Sequence, residues 1–263
     1  MGQKSNVLTL NLLKKDLNLM SENSKNFLYG FKFLISLEKL LNKKGILLVH
    51  KNLNLENNKC NLNLGLFFGT FRMLKYSRKD FFLKKKTSIK KSKKDLKLFL
   101  NFFNTNLLNF KIENYNNFLT KSLIVFFFNK LKTFSNSLFP RRQNFFFDFI
   151  KLSCLFTTSK ITSSVYLSAI GSTFKILQKK KHTQFLFFLK FLFKTIICKK
   201  DSSILGIKFL INGKLKGKAR ASSSYIQQGS VPTQSISKNI EFSKAHVYTR
   251  FGAFGLQFWV HKK

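Results

Sequence analysis

The sequence predicts an α+β protein whose C-terminal part is a two-layer α/β domain, with helices packed on a mostly antiparallel sheet. Two observations carry this. Apolar residues recur at helical spacing in two consecutive segments, and the period then switches to two in four successive segments, a pattern of helices followed by strands. A third observation sets where that domain begins. Of the 24 asparagines, 22 lie before residue 151 and only Asn212 and Asn239 follow it.

In chain order, Leu28–Leu41 has Leu34, Leu37, Leu40 and Leu41 at helical spacing. Gly45–His50 (GILLVH) reads as a buried strand, and the alternation of Leu62, Leu64 and Leu66, continued by Phe68, reads as a second. The runs Asn52–Asn63 and Asn101–Asn117 show no sustained period, and Lys84–Lys97 is a polybasic, low-complexity tract. The expected organisation is therefore a divergent part over 1–76, an insertion or linker rich in Lys, Asn and Phe over 77–160, and a C-terminal domain over 161–263.

Within that last part, Ile161–Leu177 and Gln184–Cys198 read as helices. In the second, Phe185, Leu189, Leu192, Phe193 and Ile196 form an apolar stripe, while Lys190 and Lys194 fall on the opposite side. Lys179, Lys180 and Lys181 form a basic cluster between the two helices. Gly206–Asn212, Ala219–Gln227, Ser235–Phe242 and Gly255–His261 read as strands. Ile207, Phe209 and Ile211 share one face, as do Leu256, Phe258 and Val260, with Gln257, Trp259 and His261 on the reverse side of the last strand. Trp259 reads as a packing residue, with a base-stacking platform as the alternative.

Charge narrows the function. With 48 Lys and Arg against 10 Asp and Glu the net charge is +38, and a compact chain so unbalanced repels itself unless a polyanion neutralises it. Nucleic acid is the first candidate, since each phosphate contact releases counterions. An anionic membrane surface is the second. Lys outnumbers Arg by 42 to 6, although the guanidinium fork suits phosphate better, which suggests AT-rich coding of the kind common in organelle genomes. The most apolar stretch, Phe185–Cys198, is short for a membrane span and carries Lys190 and Lys194. The N-terminus follows neither a secretory nor an import-leader pattern, so if the protein acts in an organelle, synthesis there is expected. Cys60, Cys154 and Cys198 are far apart and the four histidines are scattered, so no metal site, disulfide framework or cofactor is indicated. Paired carboxylates, a Walker A loop and a Ser/His/Asp set are lacking, and no catalytic residue is assigned.

The most informative segment is GIKFLINGKLKGKARASSSYIQQGSVP, Gly206–Pro232. It resembles the C-terminal domain of the universal third protein of the small ribosomal subunit, which has a G-I-K strand, G-R-L-x-G, a second strand and G-x-V-P. Gly213, Lys214, Leu215 and Gly217 match the second element with Lys for Arg, and Gly229, Val231 and Pro232 match the last. Ile240–Phe242 resembles the family's I-D-Y, Phe251–Trp259 its Y-G-x-x-G-x-K-V-W ending, and Met1–Lys4 its common start. Gly213, Gly217, Gly229, Gly252 and Gly255, with Pro232, are read as structural turns.

The resemblance implies several further things. It implies a K-homology (KH-like) fold in the N-terminal part, with a G-x-x-G loop clamping RNA backbone. The counterpart here, Gly65–Arg72, has Arg72 where the second loop glycine is expected, so the KH-like part is degenerate. It implies a basic helix near Leu177–Lys194 at the messenger entry, only partly kept in Lys179–Lys181. The partners it implies are small-subunit ribosomal RNA, messenger RNA near the entry channel and neighbouring head proteins, with no membrane. The residues expected to bind RNA are Lys179, Lys180, Lys181, Lys190, Lys194, Lys208, Lys214, Lys216, Lys218, Arg220 and Arg250. The expected location is the mitochondrial ribosome, with the plastid as alternative. The rival function is an organellar intron maturase or other RNA-processing protein, which would need an acidic metal cluster, yet after Asp201 the only acid is Glu241.

Overall fold

The structure, a computed structural model, describes residues 38, 41, 46–56, 59–68, 107–138, 143–199, 201–213, 222–235, 237–249 and 252–263. Of the helix expected over Leu28–Leu41, only Glu38 and Leu41 are among them, and the Lys84–Lys97 tract lies outside them. The chain divides into two compact units, one ending at Phe118 and the other running from Leu119 to Lys263.

The first unit holds a three-stranded sheet in the order β1-β2-β3, formed by β1 (Ile46–Glu56), β2 (Lys59–Phe68) and β3 (Leu107–Asn114). β1 and β2 are antiparallel, with a register shift between Leu48 and His50, and β3 lies parallel to β2. The two strands expected from alternation are present but longer, because the Asn-rich run Asn52–Asn63 continues both into a hairpin. Leu48, Val49, Leu64, Leu66 and Phe67 are buried. Gly65, at the start of the segment read as the G-x-x-G counterpart, sits inside β2 and faces the ring of Tyr115, where a Cβ would collide, whereas Gly69 and Arg72, at the two loop-glycine positions, lie outside the described residues. Position 65 is a glycine because an aromatic ring closes on the strand, not because a loop turns there.

In the second unit, α1 (Lys121–Leu138) and α2 (Gln143–Thr157) precede α3 (Ser163–Ile176) and α4 (His182–Ile197). Part of the stretch read as insertion or linker is therefore regular, and this unit begins at Leu119, well before residue 161. Then come β4 (Ile204–Gly213), β5 (Ser223–Gly229), β6 (Ile240–Thr249) and β7 (Gly252–Lys262), in the antiparallel order β5-β4-β7-β6. α3 packs across β6 and β7, α4 across β4 and β5, and α1 lies on α2 and α4. The helices and sheet form the expected α+β layers.

The stripe read on α4 is its core face: Phe185, Leu189, Leu192, Phe193 and Ile196 are all fully buried. So are Ile207, Phe209 and Ile211 of β4 and Leu256, Phe258 and Val260 of β7. Phe258 is the point where the layers meet. Its ring lies 5.9 Å from Phe156 of α2, 6.1 Å from Tyr166 of α3, 5.8 Å from Phe193 of α4 and 6.0 Å from Phe209 of β4. Tyr166 also stacks on Phe156 at 4.3 Å, and its buried hydroxyl pairs with Ser153 Oγ at 3.0 Å, so both of these deeply buried hydroxyls are satisfied. The sheet strands shift at their ends. The third starts at Ile240 and not Ser235, because Pro232–Ser235 closes a turn after β5 (Ser235 N–H to Pro232 O, 3.3 Å).

Candidate nucleic-acid interface

Alternation along each strand sends every second side chain away from the helices. The register then aligns these outward residues in rows. One row reads Gln227, Lys208, Trp259, Phe242 across β5, β4, β7 and β6; the next reads Tyr225, Leu210, Gln257, Lys244. His246 and Tyr248 continue the face along β6. Trp259 is half-buried here, its ring centroid 5.1 Å from that of Phe242 and 5.4 Å from the Lys208 ammonium. Tyr225 and Tyr248 are the two most exposed large hydrophobic side chains among the described residues, at 65% and 73%. Lys244 and His246 are exposed.

The acid on the same strand points elsewhere. Glu241 faces the helix side, where Oε2 accepts the Ser163 backbone N–H at the start of α3 (3.2 Å) and Oε1 accepts Lys262 Nζ (2.6 Å). A carboxylate at a helix N-terminus is favourable there, and the pairing ties α3 to β6 and β7. The helix-free face is therefore basic and aromatic, with no carboxylate among its described residues.

The turns expected from sequence divide into those that geometry demands and those that it does not. Gly229 has φ +69°, and a Cβ there would strike the Leu205 carbonyl; Gly213 has φ +137°, and a Cβ would lie 2.6 Å from the Ala253 carbonyl oxygen. An L side chain would be strained at both. Gly252 has φ +138°, whereas Gly255 lies within β7, where a Cβ would meet only the Asn212 carbonyl oxygen at 3.9 Å. Pro232 lies in the turn after β5. That segment is held down by His261, whose Nδ1–H donates to the Ser230 carbonyl at 2.9 Å. Gly206 leaves room for the same carbonyl.

The expected RNA-binding residues fall in three groups. Lys180, Lys190 and Lys194 are exposed on the helical side, and Lys208 lies on the helix-free face. Lys181 is engaged within the fold, donating from Nζ to the Ser137 and Leu138 carbonyls (3.1 and 3.4 Å) at the end of α1. Gly217, Lys214, Lys216, Lys218, Arg220 and Arg250, with the side chain of Lys179, lie outside the described residues. On either side of the first five, Gly213 N–H donates to Ser222 O (3.0 Å) and Ser222 Oγ–H to Gly213 O (2.8 Å). Sequence reasoning missed the aromatic character of the helix-free face. The signal was Trp259, Phe242 and Tyr225 at outward strand positions, but only the strand order shows that Trp259 and Phe242 are neighbours.

Burial pushes the Cys154 thiol up to about 12. Among the described residues, no group of three or more His, Cys, Asp or Glu could hold a metal ion. No helix of the described residues is long and apolar enough to cross a membrane.

The same segment is what known proteins share. Residues 186–260 match the family model described as ribosomal protein S3, C-terminal domain. The small ribosomal subunit protein uS3c of Cyanidium caldarium is 34% identical over 61 residues, covering 23% of this chain and 30% of that protein. The uS3c of Thalassiosira pseudonana is 32% identical over 65 residues (25% and 30%), and the uS3 of Pelagibacter ubique 33% over 57 residues (22% and 25%). The chain thus spans less than a third of the length of these curated relatives. The α4-to-β7 segment, where the helix stripe, the glycine turns and the antiparallel sheet coincide, is thus similar to the C-terminal domain of the ribosomal protein S3 family.

Proposed function

We propose that the chain is a structural constituent of the small ribosomal subunit, binding small-subunit ribosomal RNA in the head near the messenger entry channel. The observation that carries this is the match over 186–260, which coincides with α4 and the four-stranded sheet. A net charge of +38 supports it, since ribosomal RNA supplies the polyanion that such a chain needs. Exposed Lys180, Lys190 and Lys194, with Lys208 and the Lys214–Arg220 loop, would contact phosphate, while the described layers position them. Neighbouring head proteins are the expected protein partners. In the first unit, the mixed sheet with its parallel β2–β3 pair is read as a degenerate KH-like part, with Gly65 given over to packing.

The location is an organelle ribosome. The relatives of this segment are plastid-type uS3c proteins and bacterial uS3 proteins, which favours the plastid at least as much as the mitochondrion expected from composition.

The test is RNA affinity against salt. Binding should weaken steeply, with a log–log slope of about −0.7 per neutralised phosphate for single strands, and replacing Lys214, Lys216 and Lys218 together by Gln should flatten it by up to about 2. A salt-independent affinity would remove the electrostatic basis of the proposal.

A further inference from the structure

We propose that the helix-free face of the C-terminal sheet is a stacking platform for unpaired RNA nucleotides. The polymer class rests on the ribosomal reading above; the platform rests on geometry. Three requirements of single-strand binding meet on one surface: aromatic rings for bases, cations for phosphates, and no repelling acid. Trp259 on the inner strand β7 and Phe242 on the edge strand β6 are register partners, and Tyr225 and Tyr248 stand exposed on the two edge strands. Lys208 and Lys244 lie beside these rings, one next to Trp259 and the other two residues from Phe242 on β6. The one acid of β6, Glu241, is turned to the helix side and held by Ser163 and Lys262.

A purely structural role does not account for this set. Burial of the sheet is achieved on the opposite face, where Phe258 and its partners fill the core. Nothing in that packing requires tyrosines with 65% and 73% of their surface exposed, nor a tryptophan shared between a lysine and a phenylalanine. Every base has a π-face, so such a surface takes single strands with little sequence preference. Duplex RNA is excluded by the same logic, because its bases are already stacked on one another. Lys208 over the indole marks where a phosphate-bearing strand would draw the ammonium aside and free the ring.

Trp259 is the only tryptophan of the chain, so its emission reports on this face alone. The full-length protein should be titrated with single-stranded oligouridylate, with a blunt RNA duplex, and with heparin, which carries charge without bases. Saturable quenching by the single strand, and little by duplex or heparin, is the expected result. Tyr225→Ser and Tyr248→Ser should each weaken single-strand binding roughly fivefold or more. Phe187→Ser, equally exposed but on α4, should leave it unchanged. Both tyrosines are exposed, so the variants should keep wild-type circular dichroism, which checks that the fold is intact. RNA binding without quenching, or equal quenching by heparin, would overturn the platform. In assembled small subunits, a photo-reactive residue at 225 or 248 should cross-link to RNA; cross-links to protein alone would overturn it in favour of a protein-docking face. A chain that enters small subunits yet shows no quenching loses the platform and keeps the family reading. A chain that is quenched but absent from subunits does the reverse.

Discussion

Individual residues in this unit are tied to the fold by contacts whose loss can be measured. Glu241 is one of two acids after residue 160, and its two oxygens hold the α3 N-terminus and the Lys262 ammonium. Its side chain is 31% exposed and that of Lys262 17%, so the contribution is that of a partly screened charge-assisted pair. Glu241→Gln should cost about 1 kcal/mol, a fall in Tm of about 2–4 °C, read by circular dichroism. An unchanged Tm would show that the clasp contributes nothing. His182 is held differently. It is buried edge-on to Phe174 and Phe254, with Nε2–H donating to the Leu177 carbonyl at 3.3 Å. Burial keeps its pKa below the ordinary imidazole value, against the opposing effect of its backbone hydrogen bonds. The unfolded chain therefore takes up the proton first as pH falls below about 6.5, and stability should decline from there toward the lower folded value. His182→Gln keeps a donor but cannot titrate, so its stability curve between pH 7 and 5 should be flatter than the wild-type curve. Parallel curves would contradict the assignment.

At the scale of elements, alternation and helical spacing made the C-terminal half legible. The faces read for α4, β4 and β7 are the buried ones, and each opposite side carries polar or basic residues (Lys190 and Lys194, Lys208 and Asn212, Gln257) that give the contrast a period needs. α1 was hidden for the opposite reason. Leu123, Phe127, Leu131 and Leu138 form its buried stripe, but Val125 and Phe126 lie on the exposed side, so apolar residues surround the helix and blur its period. β6 was placed too early because Ile236, Ile240 and Phe242 share one parity, and local pattern cannot tell where a turn gives way to a strand. The outward aromatics were legible as positions and not as a surface, since Phe242 and Trp259 are brought together only by strand order. Within the core, Phe258 joins three helices to the sheet, and Phe258→Ala should cost about 3–5 kcal/mol in denaturant unfolding. Phe187→Ala, at 63% exposure, should stay within about 0.5 kcal/mol. Equal losses would mean that Phe258 is not the centre of the packing.

For the whole molecule, the net charge and the similarity over residues 186–260 both support the proposed RNA partner. A chain of +38 with 10 acids is poorly suited to multi-carboxylate metal chemistry and well suited to life against phosphate. The segment that matches relatives is also the segment with the clearest layers, while the first unit keeps a mixed sheet in which Gly65 is used for packing against Tyr115. Sedimentation tests the proposed residence in the small ribosomal subunit most directly. On a sucrose gradient of organelle extract, at moderate salt and with magnesium, the chain should peak with the small subunit and shift to the top once high salt or ribonuclease removes the RNA contacts. Recovery only in membrane or free-protein fractions under the first condition would contradict the account.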